Sequence, residues 1–255
     1  MNKHLEIELK YAAPTLEQFH TILPEDLVKV GTIFCPEVDR DLPIEDAKVH
    51  GLKLVKNIDT FYSNGETVIR YRRNKSEDGG KYRSELTLKE RFSEDSMLLR
   101  KEVNLNLGYA KSPDDDMVNE FLKSIGYQQE FSLRKDFELM TIMGKHGPYA
   151  EPVEFEVVRY DSGFTSLTDK EFRFEKEFYK SFLEVEVKSE VIGHEAAMVL
   201  AGKLGGYLSK RFKLGKPINS SLYEMYKDMN KKRKHKQWEA KYDAQFAALK
   251  AERND

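Results

Sequence analysis

The feature that most constrains this chain is an alternation of charged and apolar residues, repeated in one segment after another. Side chains two apart on a strand share a face. Glu6, Glu8 and Lys10 therefore oppose Ile7 and Leu9, and Arg70 and Arg72 oppose Ile69 and Tyr71. Glu85, Thr87 and Lys89 oppose Leu86 and Leu88, while Arg100, Glu102 and Asn104 have Val103 and Leu105 behind them. Glu154 and Glu156 oppose Val153, Phe155 and Val157; Glu184, Glu186 and Lys188 oppose Leu183, Val185 and Val187. The first and last of these segments share one formula, acid-x-acid-x-base. An ordinary half-buried sheet also alternates, with its polar face in water. Such a face mixes Thr, Ser, Gln and Lys, whereas these positions are nearly all Glu, Arg or Lys. Periodicity leaves two readings open: a solvated face, or the charged lumen of a closed barrel whose apolar face is turned outward under helices.

In the second reading, many like charges share a confined space. They stay ionised only if each meets its opposite or a ligand of opposite charge. Two facing carboxylate pairs make an all-oxygen site suited to Mg²⁺ or Mn²⁺. A set of Arg and Lys supplies charge-assisted hydrogen bonds suited to phosphate oxygens. A polyphosphate with its metal is the ligand such a site would take.

The rest of the chain supplies the frame. Pro14 and Thr15 open a helical segment to about Leu27, interrupted by Pro24, and residues 28–58 read as an irregular insertion with a strand near Leu52–Lys56. Strands follow at 59–62, 67–73, 84–90 and 98–107, with a hairpin signal at Asn64-Gly65. Ser112-Pro113-Asp114-Asp115 starts a helix that Gly126 closes. Strands are expected at 127–141, 153–160, 171–178 and 181–188, a helix at 195–210, and a long polar helix from Ser221. The reading is an α+β chain, mainly antiparallel β.

Composition narrows the function classes. In 255 residues, 42 Lys+Arg face 44 Asp+Glu, which argues against a generally basic nucleic-acid binder. The 15 Phe and 13 Tyr are too many for a disordered chain. A lone cysteine, Cys35, excludes an internal disulfide framework and fits a reducing, cytoplasmic setting. No apolar run reaches the length of a membrane span, and Glu6 and Glu8 interrupt any leader-like stretch. The six His are scattered, and Gly79-Gly80 and Gly205-Gly206 lack a phosphate-loop consensus.

The ordered series of motifs resembles the CYTH group, also called triphosphate tunnel metalloenzymes. It comprises Glu6-x-Glu8-x-Lys10, Asp59-x-x-Tyr62, Arg70-x-Arg72, Leu86 to Lys89, Arg100-x-Glu102, Arg134-Lys135 and Glu184-x-Glu186. The likeness covers about Leu5 to Tyr226. It implies an eight-stranded antiparallel barrel, a tunnel open at both ends, and metal-dependent chemistry on triphosphates. By position, Glu6, Glu8, Glu184 and Glu186 would hold Mg²⁺ or Mn²⁺, with Glu102 a further ligand. Lys10, Arg70, Arg72, Lys89, Arg100, Arg134 and Lys135 would grip phosphates, and Glu6, Glu8, Lys10, Arg70 and Arg72 would form the catalytic set. The implied domain is 1–226, followed by a charged helical tail, 227–255. Asn104 stands where a second acid is common, the late tunnel lysine is unassigned among Lys210, Arg211 and Lys213, and Glu154-Phe155-Glu156 is an extra acidic pair.

The expected activity is hydrolysis of inorganic, nucleoside or thiamine triphosphate. Alternatives are a class IV-type adenylate cyclase, an RNA 5′-triphosphatase, a non-catalytic nucleotide binder, and an adaptor that displays the C-terminal helix. The expected partner is a small-molecule triphosphate, without a membrane. A homodimer stays open. The basic run Lys231–Lys236 with Trp238, Tyr242, Phe246 and Leu249 at helical spacing reads first as a solvated helix with one packed stripe, and second as a nucleic-acid contact.

Overall fold

From the N-terminus, β1 (Asn2–Ala12) leads through α1 (Leu16–Phe19) and α2 (Pro24–Val30) into a small hairpin, β2 (Ile33–Cys35) and β3 (Arg40–Leu42). A meander follows: β4 (Glu45–Ser63), β5 (Val68–Lys75), β6 (Tyr82–Arg91) and β7 (Leu99–Ala110). After α3 (Asp115–Ser124) come β8 (Gln128–Lys145), β9 (Val153–Phe164) and β10 (Lys180–Lys188), then α4 (His194–Phe212) and α5 (Leu222–Glu252). This computed structural model describes residues 2–35, 38–75, 82–91, 99–110, 115–147, 149, 151–165, 176–188 and 190–252. Side chains are described within these except at 2–6, 52–54, 75, 82, 89–91, 99–102, 109, 110, 115, 176 and 245–252. The chain divides into two compact units, residues 1–219 and 220–255, with the division just before α5.

The eight long strands pair antiparallel in the order β1-β10-β9-β8-β4-β5-β6-β7, and β7 pairs back onto β1, closing the circuit into a barrel. Closure leaves no long strand with an unpaired edge. Local chemistry sets several of the joints. At Asn64-Gly65, Gly65 takes φ 97 and the Asn64 carboxamide oxygen accepts from the Glu66 and Thr67 amides at 3.0 and 2.8 Å. Thr15 and Gln18 form a reciprocal capping box at α1. Pro24, which breaks the first helical pattern, sits at the start of α2, where its missing N–H is not needed.

Residues 28–58 differ from the expected insertion. The first part ends α2 and makes the β2–β3 hairpin, but Glu45 onward belongs to β4, a 19-residue strand paired with β8. Register shifts along that pairing, between Glu45 and Lys48 and between His50 and Lys53, broke the two-residue period that would have announced it. Of the strand expected at 171–178, only the end is described, and Lys176–Phe178 is a short 3-10 turn. The helix start at Ser112–Asp114 lies outside the described residues.

The apolar face of β1, β8, β9 and β10 is the outer face. There Ile7, Leu9, Ile142, Phe155, Val157, Val185 and Val187 pack with Phe19 of α1, Leu27 of α2, and Ala197, Leu200, Ala201, Leu204 and Leu208 of α4. The spacing of that α4 set is one stripe of an amphipathic helix. Its approach is close: a Cβ at Gly205 would come within 2.6 Å of the Tyr11 hydroxyl and 2.9 Å of Leu9. A second, smaller cluster joins Tyr62 and Tyr71 to Val118 and Leu122 of α3. Because the outer face is apolar and covered, the alternating charged positions point inward. Among the described residues no helix is long and apolar enough to cross a membrane.

Candidate functional site

Strand register brings the charged positions into rows. Residues directly opposite in antiparallel strands share a face, with Cα atoms about 4.5–5.5 Å apart. Glu8 of β1 lies opposite Glu186 of β10, Glu186 opposite Glu156 of β9, and Glu156 opposite Thr141 of β8. Three carboxylates thus stand side by side on three neighbouring strands. One step along, Lys10 lies opposite Glu184. On the other side of the circuit Asp59 of β4 is opposite Arg72 of β5, and Arg72 opposite Glu85 of β6. Phe61 is opposite Arg70, and Arg70 opposite Thr87.

The acidic wall is organised around one cation. The Lys10 ammonium, 3% exposed, sits 2.7 Å from Glu8 Oε1 and 3.1 Å from Glu184 Oε1. The Tyr160 hydroxyl donates to the same Glu184 oxygen at 2.6 Å, and the Thr141 hydroxyl donates to Glu156 at 3.2 Å. Toward the β10 C-terminus Lys188 binds Glu154. Burial works to lower the Lys188 pKa, but the bond to Glu154 and the nearby Glu156 and Glu186 carboxylates outweigh it, so the net shift is upward.

The basic wall is organised around one anion. Asp59 is fully buried and accepts a forked pair of bonds from Arg72, Nε to Oδ1 at 2.8 Å and Nη2 to Oδ2 at 3.0 Å. Burial alone would raise its pKa; the Arg72 charge, joined by Arg70 and Lys135, overrides that and holds the carboxyl well below the usual range. Arg70 donates to the Thr87 hydroxyl at 2.9 Å and lies 3.8 Å from Glu85. Lys135 is buried with its ammonium 4.2 Å from the centre of the Tyr160 ring. Burial pulls its pKa down to about 8, and Asp59 and Glu184 offset only part of that. Tyr160 therefore links the walls: its hydroxyl holds Glu184 and its face holds Lys135.

Of the residues singled out from sequence, Glu8, Lys10, Arg70, Arg72, Lys135, Glu184 and Glu186 come together on the interior face. Register puts Lys89 opposite Glu102 and Arg100 opposite Glu6, in step with that face, but the side chains of these four lie outside those described. Arg134 does not join the set. Adjacent residues on a strand point to opposite faces, and Arg134 is turned outward, bonded to Asp136 at 2.7 and 2.5 Å. Arg211 is also outside, held by the Thr21 carbonyl oxygen at 2.6 Å and the Asp26 carboxylate at 3.3 Å. Glu156, Thr141 and Tyr160 were given no role by sequence reasoning. The signal for Tyr160 was present, since it continues the even-numbered series Glu154, Glu156.

The donor set fits a hard divalent cation by chemistry: it is all carboxylate and shares one row. Among the described residues no three acid, His or Cys side chains already converge on a single point. Lys10 holds Glu8 and Glu184 apart from such a group.

These features define a closed antiparallel barrel with an acidic and a basic wall facing each other inside. No protein-family model matches the chain, and no curated protein matches it. Among solved structures it is similar to the PH1819 protein from Pyrococcus horikoshii OT3, at 15% identity and a TM-score of 0.48 over 88% of this chain and 99% of that one. It is similar to a conserved hypothetical protein from Pyrococcus furiosus at 17% identity and 0.44, over 86% and 99%. A Vibrio parahaemolyticus protein named a "putative adenylate cyclase" gives 15% and 0.44, over 88% and 98%. Likenesses of that size carry no part of the functional argument, which rests on the residues of the barrel.

Proposed function

We propose that the protein is a divalent-metal-dependent phosphohydrolase that binds a triphosphate in a tunnel through the barrel. The observation that carries the reading is the pairing of two walls of opposite sign inside one barrel: Glu8, Glu186 and Glu156 in a row on β1, β10 and β9, against Arg70, Arg72 and Lys135 on β5 and β8. A polyanion and its counter-cation are the ligand that such a pair of walls accommodates together.

Glu8, Glu186 and Glu156 would hold Mg²⁺ or Mn²⁺, with Glu6 and Glu184 one same-face step away on β1 and β10, and Glu102 farther along, opposite His4. A bound divalent ion supplies charge neutralisation on phosphate oxygens and a water of lowered pKa. The remaining work belongs to the chain. Asp59 holds the Arg72 fork, so the guanidinium that would meet a phosphate is fixed in one orientation. Arg70 and Lys135 add donors along the same side. Lys10 keeps Glu8 and Glu184 from repelling each other and offers its ammonium to a phosphate oxygen. Water attacks the terminal phosphorus, the bond from that phosphorus to the bridging oxygen breaks, and orthophosphate and a shortened chain leave.

The test is product release from tripolyphosphate, nucleoside triphosphates, thiamine triphosphate and 5′-triphosphate RNA, with Mg²⁺, Mn²⁺ or chelator, for the wild type and Glu8→Gln. Orthophosphate release that needs metal and falls more than about 100-fold in Glu8→Gln is expected, beyond the usual cost of losing a group behind the ligands. Pyrophosphate with a cyclic nucleotide would replace the hydrolase with a cyclase. Binding that survives chelation without turnover would leave a nucleotide-binding protein.

A further inference from the structure

The unit from Ser220 onward carries chemistry that the barrel does not use. Between Lys231 and Tyr242, α5 holds Lys231, Lys232, Arg233, Lys234, Lys236 and Lys241 against the single acid Glu239. At 1.5 Å per residue that excess is spread over about 18 Å. Three flat rings lie within it at helical spacing. His235 and Trp238 are nearly parallel, 9° apart with centroids separated by 6.3 Å; Trp238 and Tyr242 are 21° apart at 5.6 Å. Trp238 is 61% exposed and Tyr242 56%, high values for an indole and a phenol.

The bland explanation is a solvated helix, and the base-rich composition alone would fit it. What it leaves unexplained is the ladder of exposed rings set inside the basic run. A partner helix or a second copy in a coiled coil would need an apolar seam through the basic run, but the stripe that continues in sequence through Trp238, Tyr242, Phe246 and Leu249 begins with Lys231 and His235 there. A membrane surface would call for an apolar face opposite the bases, and Lys231 to Glu239 has none. Cations that follow a phosphate backbone, with rings on which unpaired bases stack, are the two components of single-strand recognition.

We propose that this stretch of α5 binds single-stranded nucleic acid, Lys231 to Lys236 and Lys241 contacting phosphates and Trp238 and Tyr242 stacking on bases. The inference is independent of the triphosphatase reading.

Trp238 is the chain's single tryptophan, so its emission reports the contact directly. The full-length protein is titrated with a fluorescein-labelled oligo(U) of about 12 nucleotides, within the range of single-strand sites, reading tryptophan quenching and anisotropy together. Quenching with saturable binding is expected, and a log–log salt slope near −3.5 if about five phosphates are neutralised. Trp238→Ala/Tyr242→Ala should weaken binding roughly 10–100-fold, Trp238→Phe/Tyr242→Phe should keep most of it, and circular dichroism should show the helix unchanged in both. Glu8→Ala should bind oligo(U) as the wild type does, whatever it does to turnover. Absence of binding at low salt overturns the proposal. So does equal binding by the wild type and the double alanine variant, which would mean charge attraction without stacking, and so does tighter binding to phosphatidylserine vesicles than to oligo(U).

Discussion

The two walls of the barrel interior solve one electrostatic problem in opposite senses. On β1, β9 and β10 the majority charge is negative and the most buried ionised group is a cation, Lys10, between Glu8 and Glu184. On β4, β5 and β8 the majority is positive, and the most buried ionised group is an anion, Asp59, in the fork of Arg72. In each wall one residue of minority sign is taken deepest and holds the others in place. Arg72 stays nearer water than the anion it holds: its side chain is 21% exposed against 1% for Asp59. Burying a lone charge is costly and burying a paired one far less so.

That comparison breaks first at the deepest residue. Asp59→Ala removes the anion that the Arg72 fork holds and that lies near Lys135, and should cost about 3–5 kcal/mol in urea unfolding; a cost under about 1 kcal/mol would mean that Asp59 is not the anchor. Lys10→Met is the mirror experiment. It should cost less, about 2 kcal/mol, because the Glu8 and Glu184 side chains, 13% and 16% exposed, keep part of their hydration.

A smaller effect sharpens the basic wall. Lys135 has its pKa lowered to about 8 from an unfolded value near 10.5. Between those values the unfolded chain binds the extra proton, so Lys135 makes stability rise with pH across that window. Tripolyphosphate binding should move the other way, weakening as pH passes about 8 and the folded ammonium is lost. Calorimetric titrations of wild type and Lys135→Met should differ in that limb; an identical pH profile would remove Lys135 from the phosphate grip. The smallest effect belongs to Arg134→Ala. With its partner Asp136 on the outer surface it should change stability by under about 1 kcal/mol and leave tripolyphosphate affinity untouched. A loss comparable to that of Lys135→Met would mean that both neighbours reach the interior.

Much of this was legible without coordinates, because a strand's two-residue period assigns faces from local sequence alone. The strands carrying Glu6 to Lys10, Arg70 to Arg72, Glu85 to Lys89 and Glu184 to Lys188 could be located and their charged faces identified. β4 could not be read as one strand, since its register shifts against β8 erase the period over Glu45 to Lys53. Arg134 and Lys135 show the opposite lapse: the same period excludes two neighbours from one face, and the motif resemblance overrode it.

Sequence by itself determined a mainly antiparallel β chain with carboxylates and guanidinium groups on one face of its strands, and its periodicity fitted a solvated sheet as well as a closed barrel. Only the tertiary structure decided which charges meet. That Glu156 joins Glu8 and Glu186, that Asp59 takes the fork of Arg72, and that Tyr160 bridges Glu184 and Lys135 depends on strand order and register. These follow from hydrogen bonding between segments far apart in the chain, as between Glu6 and Lys188, 182 residues apart, and so from contacts that no local pattern encodes.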